Sequence, residues 1–139
     1  MEKYLGVKLV DAEPCSQDQY AGAKNFGDLS KKSGGIDREE YKVVYEDGYT
    51  SWSPKDVFEK AYRQIKDGIP LDKGNWLPHQ ERVVQEAREL REKSDKLYLF
   101  ITSNNIYNGL DLNEQTRLKQ QLMAMQYYLT ILIERIENF

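Results

Sequence analysis

Two stretches near the C-terminus decide the fold: residues 81–101, ERVVQEARELREKSDKLYLFI, and residues 110–139, LDLNEQTRLKQQLMAMQYYLTILIERIENF. In the first, Val83, Ala87, Leu90, Ser94, Leu97 and Ile101 recur at 4-3-4-3-4 spacing. In the second, Leu118, Leu122, Met125, Leu129, Leu132 and Ile136 repeat that spacing. Side chains that alternate three and four apart return to one side of an α-helix, so each stretch carries an apolar seam. Pro78 opens the first of these helices, which is expected to run to about Phe100. Asp111 and Glu114 have the spacing of a capping box, and the helix they start is expected from about Leu112 to Asn138. Between them, residues 102–110 hold Ser103, Asn104, Asn105, Asn108 and Gly109 and read as a loop. Two long helices joined by about ten residues make an antiparallel hairpin.

The last helix is more apolar than a hairpin requires. Met123, Tyr127, Tyr128, Ile131 and Ile133 lie off its seam. Two explanations stand open. Other parts of the same chain cover this surface, or a second copy does; the pattern favours self-association.

Moving toward the N-terminus, residues 67–77 (DGIPLDKGNWL) read as a linker, with Trp76 and Leu77 pinning its end to the core. Residues 1–66 read as a β-rich unit. Tyr4–Val10 (YLGVKLV) is an expected first strand, ended by Asp11-Ala12-Glu13-Pro14. Residues 16–22 read as one helical turn, and 23–38 as a mobile loop. Tyr41–Tyr45 (YKVVY) and Tyr49–Trp52 are strands joined at Glu46-Asp47-Gly48, where Asp-Gly predicts a type I′ hairpin. Ser53-Pro54 should start a short helix, with Ser53 as cap and Val57, Phe58, Ala61, Tyr62 and Ile65 on its apolar face. The expected fold class is therefore α+β: a small N-terminal antiparallel β-meander with a short helix over 1–66, the linker 67–77, and a helical hairpin domain over 78–139.

Composition narrows function chiefly by exclusion. The chain has 139 residues, 40% apolar and 31% charged, with a net charge of -3. Residues 78–139 contain eight Lys/Arg and nine Asp/Glu, so no basic half is concealed. A nucleic acid polymer is not the expected partner. No apolar run approaches the roughly 20 residues that span a bilayer, and the start of the chain lacks a signal-peptide core. One cysteine (Cys15) and one histidine (His79) leave no material for a disulfide framework, a zinc site or a Cys-His nucleophile pair. Phosphate-loop, nucleophile-elbow and HExxH patterns are absent, and the carboxylates fall on solvated helix faces. We therefore expect no catalysis, no cofactor and no bound metal.

One constellation points to ligand binding. Lys96, Tyr98 and Phe100 end the first long helix, the asparagine-rich loop follows, and Arg117 and Lys119 lie one to two turns into the next helix. Rings that stack on a base, cations that neutralise phosphate and amides that read base edges are what a nucleotide needs.

The hairpin also resembles that of phage nucleotide-signal sponges, small viral proteins that sequester immune messengers of bacterial defence. The shared series is Arg82-Val83, Glu86, Leu90, Lys93, Leu97 and Phe100, then Leu110, Glu114-Gln115, Arg117-Leu118, Gln121, Met125, Tyr128, Leu132, Arg135-Ile136 and Phe139. It covers about 60 residues of the chain. The anti-CBASS branch is little more than the hairpin and takes up cyclic di- and trinucleotides. The Thoeris anti-defence branch places a small β unit before it and takes up glycocyclic ADP-ribose signals. With its own β unit, this chain looks more like the Thoeris branch.

That resemblance implies a viral product in the cytoplasm of an infected bacterial host. It implies dimers grouped into hexamers, with a cyclic ADP-ribose isomer or cyclic oligonucleotide held between subunits. The positions that could match its pocket are Phe100, Asn104 or Asn105, Asn108, Arg117 and Arg135, with Lys96 and Tyr98 in second rank. Phe100 would stack on adenine, the asparagines would bond ribose or base edges, and the two arginines would hold a diphosphate. The rival readings are a helical-hairpin oligomer that acts as a protein-interaction or structural module, and a phosphodiesterase that cleaves the same messengers.

Overall fold

The computed structural model describes residues 1–16, 39–72 and 74–139. The expected loop over 23–38, and all but the first residue of the helical turn over 16–22, lie outside these. Along the chain the described elements are β1 (Asp11–Cys15), β2 (Glu40–Val44), β3 (Thr50–Pro54), α1 (Lys55–Ala61), α2 (Pro78–Ser103), the single turn α3 (Asn105–Asn108) and α4 (Leu112–Glu137). The fold class is α+β, with an antiparallel sheet, a short helix and a helical hairpin. The chain divides into two compact units, residues 8–63 and residues 1–7 with 64–139.

In the first unit the strands form a meander in the order β1-β2-β3. The outer strand is not YLGVKLV. Residues 4–10 stay irregular, and the segment expected to end the strand, DAEPC, is the strand itself, pairing Asp11 with Val44 and Cys15 with Glu40. Apolar alternation misleads here because an edge strand is held mainly by backbone bonds to one neighbour. Among the described residues its other row of N–H groups has no ladder partner, so Pro14 is tolerated.

The β2–β3 turn also departs from expectation. The Gly48 N–H donates to the Tyr45 carbonyl, and the Tyr45 N–H donates to the Tyr49 carbonyl, both at 2.9 Å. That closes a three-residue loop, not a two-residue type I′ turn. Gly48 takes the left-handed conformation at φ +84°, and Asp47 Oδ1 accepts the Tyr49 N–H at 3.0 Å.

Strand pairing also overrides the Ser53 cap. Pro54 still pairs with Glu40, and the Lys55 N–H still donates to the Glu39 carbonyl, so α1 starts one residue late, without a side-chain cap. It ends at Ala61, leaving Ile65 outside and exposed. Val43 is buried, and Phe58 stacks between Tyr41 at 4.3 Å and Tyr62 at 5.0 Å. Burial and the neighbouring Tyr45 raise the Tyr62 hydroxyl above its ordinary pKa. Tyr41 and Tyr62, two of the chain's ten tyrosines, thus build this small aromatic core with Phe58, each ring offering a large apolar face.

In the second unit, Leu77 is the extended N-cap of α2 and Pro78 takes the first helical position. Gln80 Oε1 accepts the Leu77 N–H at 2.9 Å, satisfying a group that the helix cannot. The helix runs past Phe100 to Ser103. Asn104 then caps the next turn by accepting the Ile106 N–H at 2.9 Å, so the expected loop contains α3. Asp111 caps α4 by accepting the Asn113 N–H at 3.2 Å. Glu114 does not complete a capping box; its carboxylate takes Nε and Nη2 of Arg117, both at 2.9 Å.

The core lies toward the open end of the hairpin. Val84 and Ala87 of α2 meet Leu129, Leu132, Ile133 and Ile136 of α4, with Ile69, Trp76, Val83 and Leu90 at the margin. Residues 64–72 and 74–77 therefore supply a third layer over two helices. Thr130 clips that layer down: its Oγ1 accepts the Lys66 N–H at 3.1 Å and donates to the Lys66 carbonyl at 3.4 Å. Ile133, off the seam, is fully buried in this cluster, so the chain itself covers part of the over-apolar helix. Among the described residues, no helix is long and apolar enough to cross a membrane.

Candidate functional site

The hairpin tip is built by three side chains. Tyr107 on α3 is buried and meets Phe100 edge-on, ring centroids 6.0 Å apart at 81°. Gln115, one turn into α4, reaches back with its amide to the carbonyls of Tyr107 at 3.1 Å and Leu110 at 3.2 Å. Asn104 caps α3. A loop read as irregular is thus a hydrogen-bonded corner of defined shape. Sequence reasoning passed over Tyr107 and gave Gln115 only a place in the series shared with the sponge hairpin; a glutamine four residues after a cap is an ordinary helix residue until its loop is seen folded against it.

The predicted binding residues other than Arg135 lie on the loop of this corner or on the helix turns next to it. Phe100 is half-buried, while Asn105 and Asn108 are exposed beside it. Asn104 spends its side-chain oxygen on capping, so its amide group is the end left for a ligand. Arg117 is exposed but paired with Glu114, and Lys96 is exposed and paired with Glu92 at 2.9 Å. A phosphate at either cation must displace or share a carboxylate. Tyr98 stands 53% exposed near the end of α2.

Arg135 lies apart from all of these, in the last turn of α4. At 1.5 Å rise per residue it is about 27 Å along the helix from Arg117. One chain does not bring these two arginines to one diphosphate; they meet a common ligand only if two chains contribute one each.

The concave surface of this unit is elsewhere. Two hollows, of about 380 Å³ and about 500 Å³, run between residues 69–72 with Trp76 and the stretch 78–95 of α2. Asp72 and Arg88 line both, so the two are parts of one groove. Trp76, Glu81, Arg82 and Gln85 complete the walls of the larger hollow. Sequence reasoning did not find this groove. Its arginines look like solvated helix positions until the 64–77 segment folds alongside them.

Residues 77–138 match the model of the Sequestin family, a span that takes in the whole hairpin and none of the β unit. Searches of curated proteins and of solved structures find no match to the chain. Over its hairpin, then, this chain is similar to a family of sequestering proteins.

Proposed function

We propose that this protein sequesters a cyclic nucleotide messenger and returns it chemically unchanged. The observation that carries the reading is the Sequestin match, whose limits coincide with the two-helix hairpin. The resemblance noted in the sequence supplies the finer content. The messenger is of the glycocyclic ADP-ribose type, with cyclic di- or trinucleotides as further ligands, and the β unit ahead of the hairpin favours the Thoeris branch. The setting is the cytoplasm of an infected bacterium, where binding blocks a defence signal by mass action. Such inhibition requires tight binding; nanomolar affinity is about -12 kcal/mol.

An oligomer suits this role. Tyr98, Leu99, Ile106 and Leu112 are all more than half exposed around the tip, and the wide spacing of Arg117 and Arg135 has a use only across subunits. In such an assembly Phe100 stacks on adenine, Asn105, Asn108 or the free end of Asn104 bonds ribose or base edges, and the arginines hold phosphate.

Thermal shift with cyclic ADP-ribose isomers, cyclic dinucleotides and cyclic trinucleotides tests the proposal. Stabilisation by at least one, with intact messenger recovered after heating, is the expected result. No shift across the panel refutes it and leaves the interaction-module reading, for which the same exposed apolar residues are the docking surface. Recovery of linear product would instead favour the phosphodiesterase reading. A mass of about 16.3 kDa in light scattering at micromolar concentration would remove the inter-subunit site.

A further inference from the structure

We propose that the groove between α2 and residues 69–72 with Trp76 is a binding site for a ribonucleotide, carried by a single chain and separate from the hairpin tip. Arg82 and Arg88 are the first reason. Among the described residues neither has a carboxylate partner, whereas Arg91, Lys66, Lys96 and Arg117 are each held by one. Both line the larger hollow. Six residues apart, they are about 9 Å apart along the helix axis and about 120° apart around it, yet both side chains reach the same hollow, one from each side of it.

The carboxylates of the same hollow select the rest of the ligand. Among the described residues, Asp72 and Glu81 balance the two arginines, so a bare anion gains little net attraction. Asp72 has committed Oδ1 to the Gly74 N–H at 2.6 Å, which leaves one of its oxygens and the Glu81 carboxylate as acceptors. A ligand satisfies both kinds of group only if it brings hydroxyl donors along with its phosphate. A ribose phosphate does so, since carboxylates commonly hold the ribose hydroxyls of bound nucleotides. Trp76 adds an apolar wall and is fixed by packing against the buried cluster. Gln85 adds an amide that can bond a base edge.

The assignment of the anion as a nucleotide rests on the sequestration reading; the groove and its charges do not. Titration calorimetry on the full chain separates the two, using ADP, 2′-deoxy-ADP, inorganic pyrophosphate and the cyclic panel above. We expect ADP to bind more tightly than either simpler probe. Arg82→Gln and Arg88→Gln should each weaken ADP at least tenfold, while Lys93→Gln, a change of equal charge on the same helix, should not. Glu81→Gln should narrow the gap between ADP and its deoxy form. The groove assignment is overturned if wild-type protein does not bind ADP, or if both arginine variants bind it normally. If cyclic messengers bind through Phe100 and Arg117 and ignore Arg82 and Arg88, sequestration stands and the groove falls. If ADP binds through the arginines and no cyclic messenger binds at all, the groove stands and the messenger reading falls.

Discussion

The two ends of the hairpin share one sequence pattern and have different interiors. At the open end Val84, Ala87, Leu129, Leu132, Ile133 and Ile136 are buried. Toward the tip, Leu97, Ile101, Leu118, Leu122 and Met125 occupy the same seam and remain half-exposed. The helices are continuous across both ends, so helix propensity does not account for the contrast. A third layer does: Lys66, Ile69 and Trp76 pack over the open end and none of them reaches the tip. Two helices alone shield only the strip between them. Where a third element packs on them, even the off-seam Ile133 leaves water. Stability therefore concentrates at one end, while exposed apolar surface collects at the other.

Core truncation puts this contrast to its hardest test. Leu132→Ala or Ile133→Ala should cost about 2–5 kcal/mol, read by urea unfolding. Leu122→Ala, in the half-exposed stretch, should cost about half as much in dilute protein, because less apolar area leaves water. Equal losses would show that the tip is covered in solution, as an oligomer would cover it. Next comes the clip that holds the third layer. Thr130→Val keeps the shape but leaves the Lys66 N–H and carbonyl without their partner, at a cost of about 1–3 kcal/mol. Faster hydrogen exchange should follow at Lys66 and not at Tyr107.

A smaller effect is expected at the ion pair between Lys66 and Glu137, with Nζ 2.7 Å from the carboxylate. Both side chains are partly exposed, so Lys66→Met should cost no more than about 1 kcal/mol, and less in high salt. The smallest effect concerns pH. A hydrogen bond from Lys96, with its charge, holds the Glu92 carboxyl below its ordinary pKa. That contribution is complete above the ordinary carboxylate pKa and vanishes as pH falls through the lowered value. Melting temperatures of Lys96→Met and the parent should therefore differ slightly at neutral pH and converge in strong acid. A gap that persists in acid would assign the effect to packing of the lysine stem.

Much of the fold was legible because it depends on repeated local signals. The two long helices, the seam of α4, the helix start at Pro78, the cap at Asp111 and the strand YKVVY could all be read from spacing and side-chain type; the α2 seam began one residue off, since Val84 is buried and Val83 lies at the margin. The outer strand could not, since its partner is chosen by backbone bonding along β2 and its own side chains are mostly exposed. The start of α1 shifted because pairing of Pro54 with Glu40 outweighed the capping preference of Ser53. The tip constellation was found in outline, because cations, rings and amides were close in sequence. The groove was invisible, since its walls come from two segments that touch only after residues 64–77 fold back.

By itself the sequence determined the class of fold, the hairpin and its short connection, because helical periodicity and capping act over a few residues. It also carried the series of positions that resembles a sponge hairpin. The tertiary structure alone decided which half of the seam is dry, which asparagine is spent on a cap and which arginines lack a carboxylate. Those outcomes depend on packing and pairing between segments distant along the chain, where a small difference in burial or hydrogen bonding selects the partner.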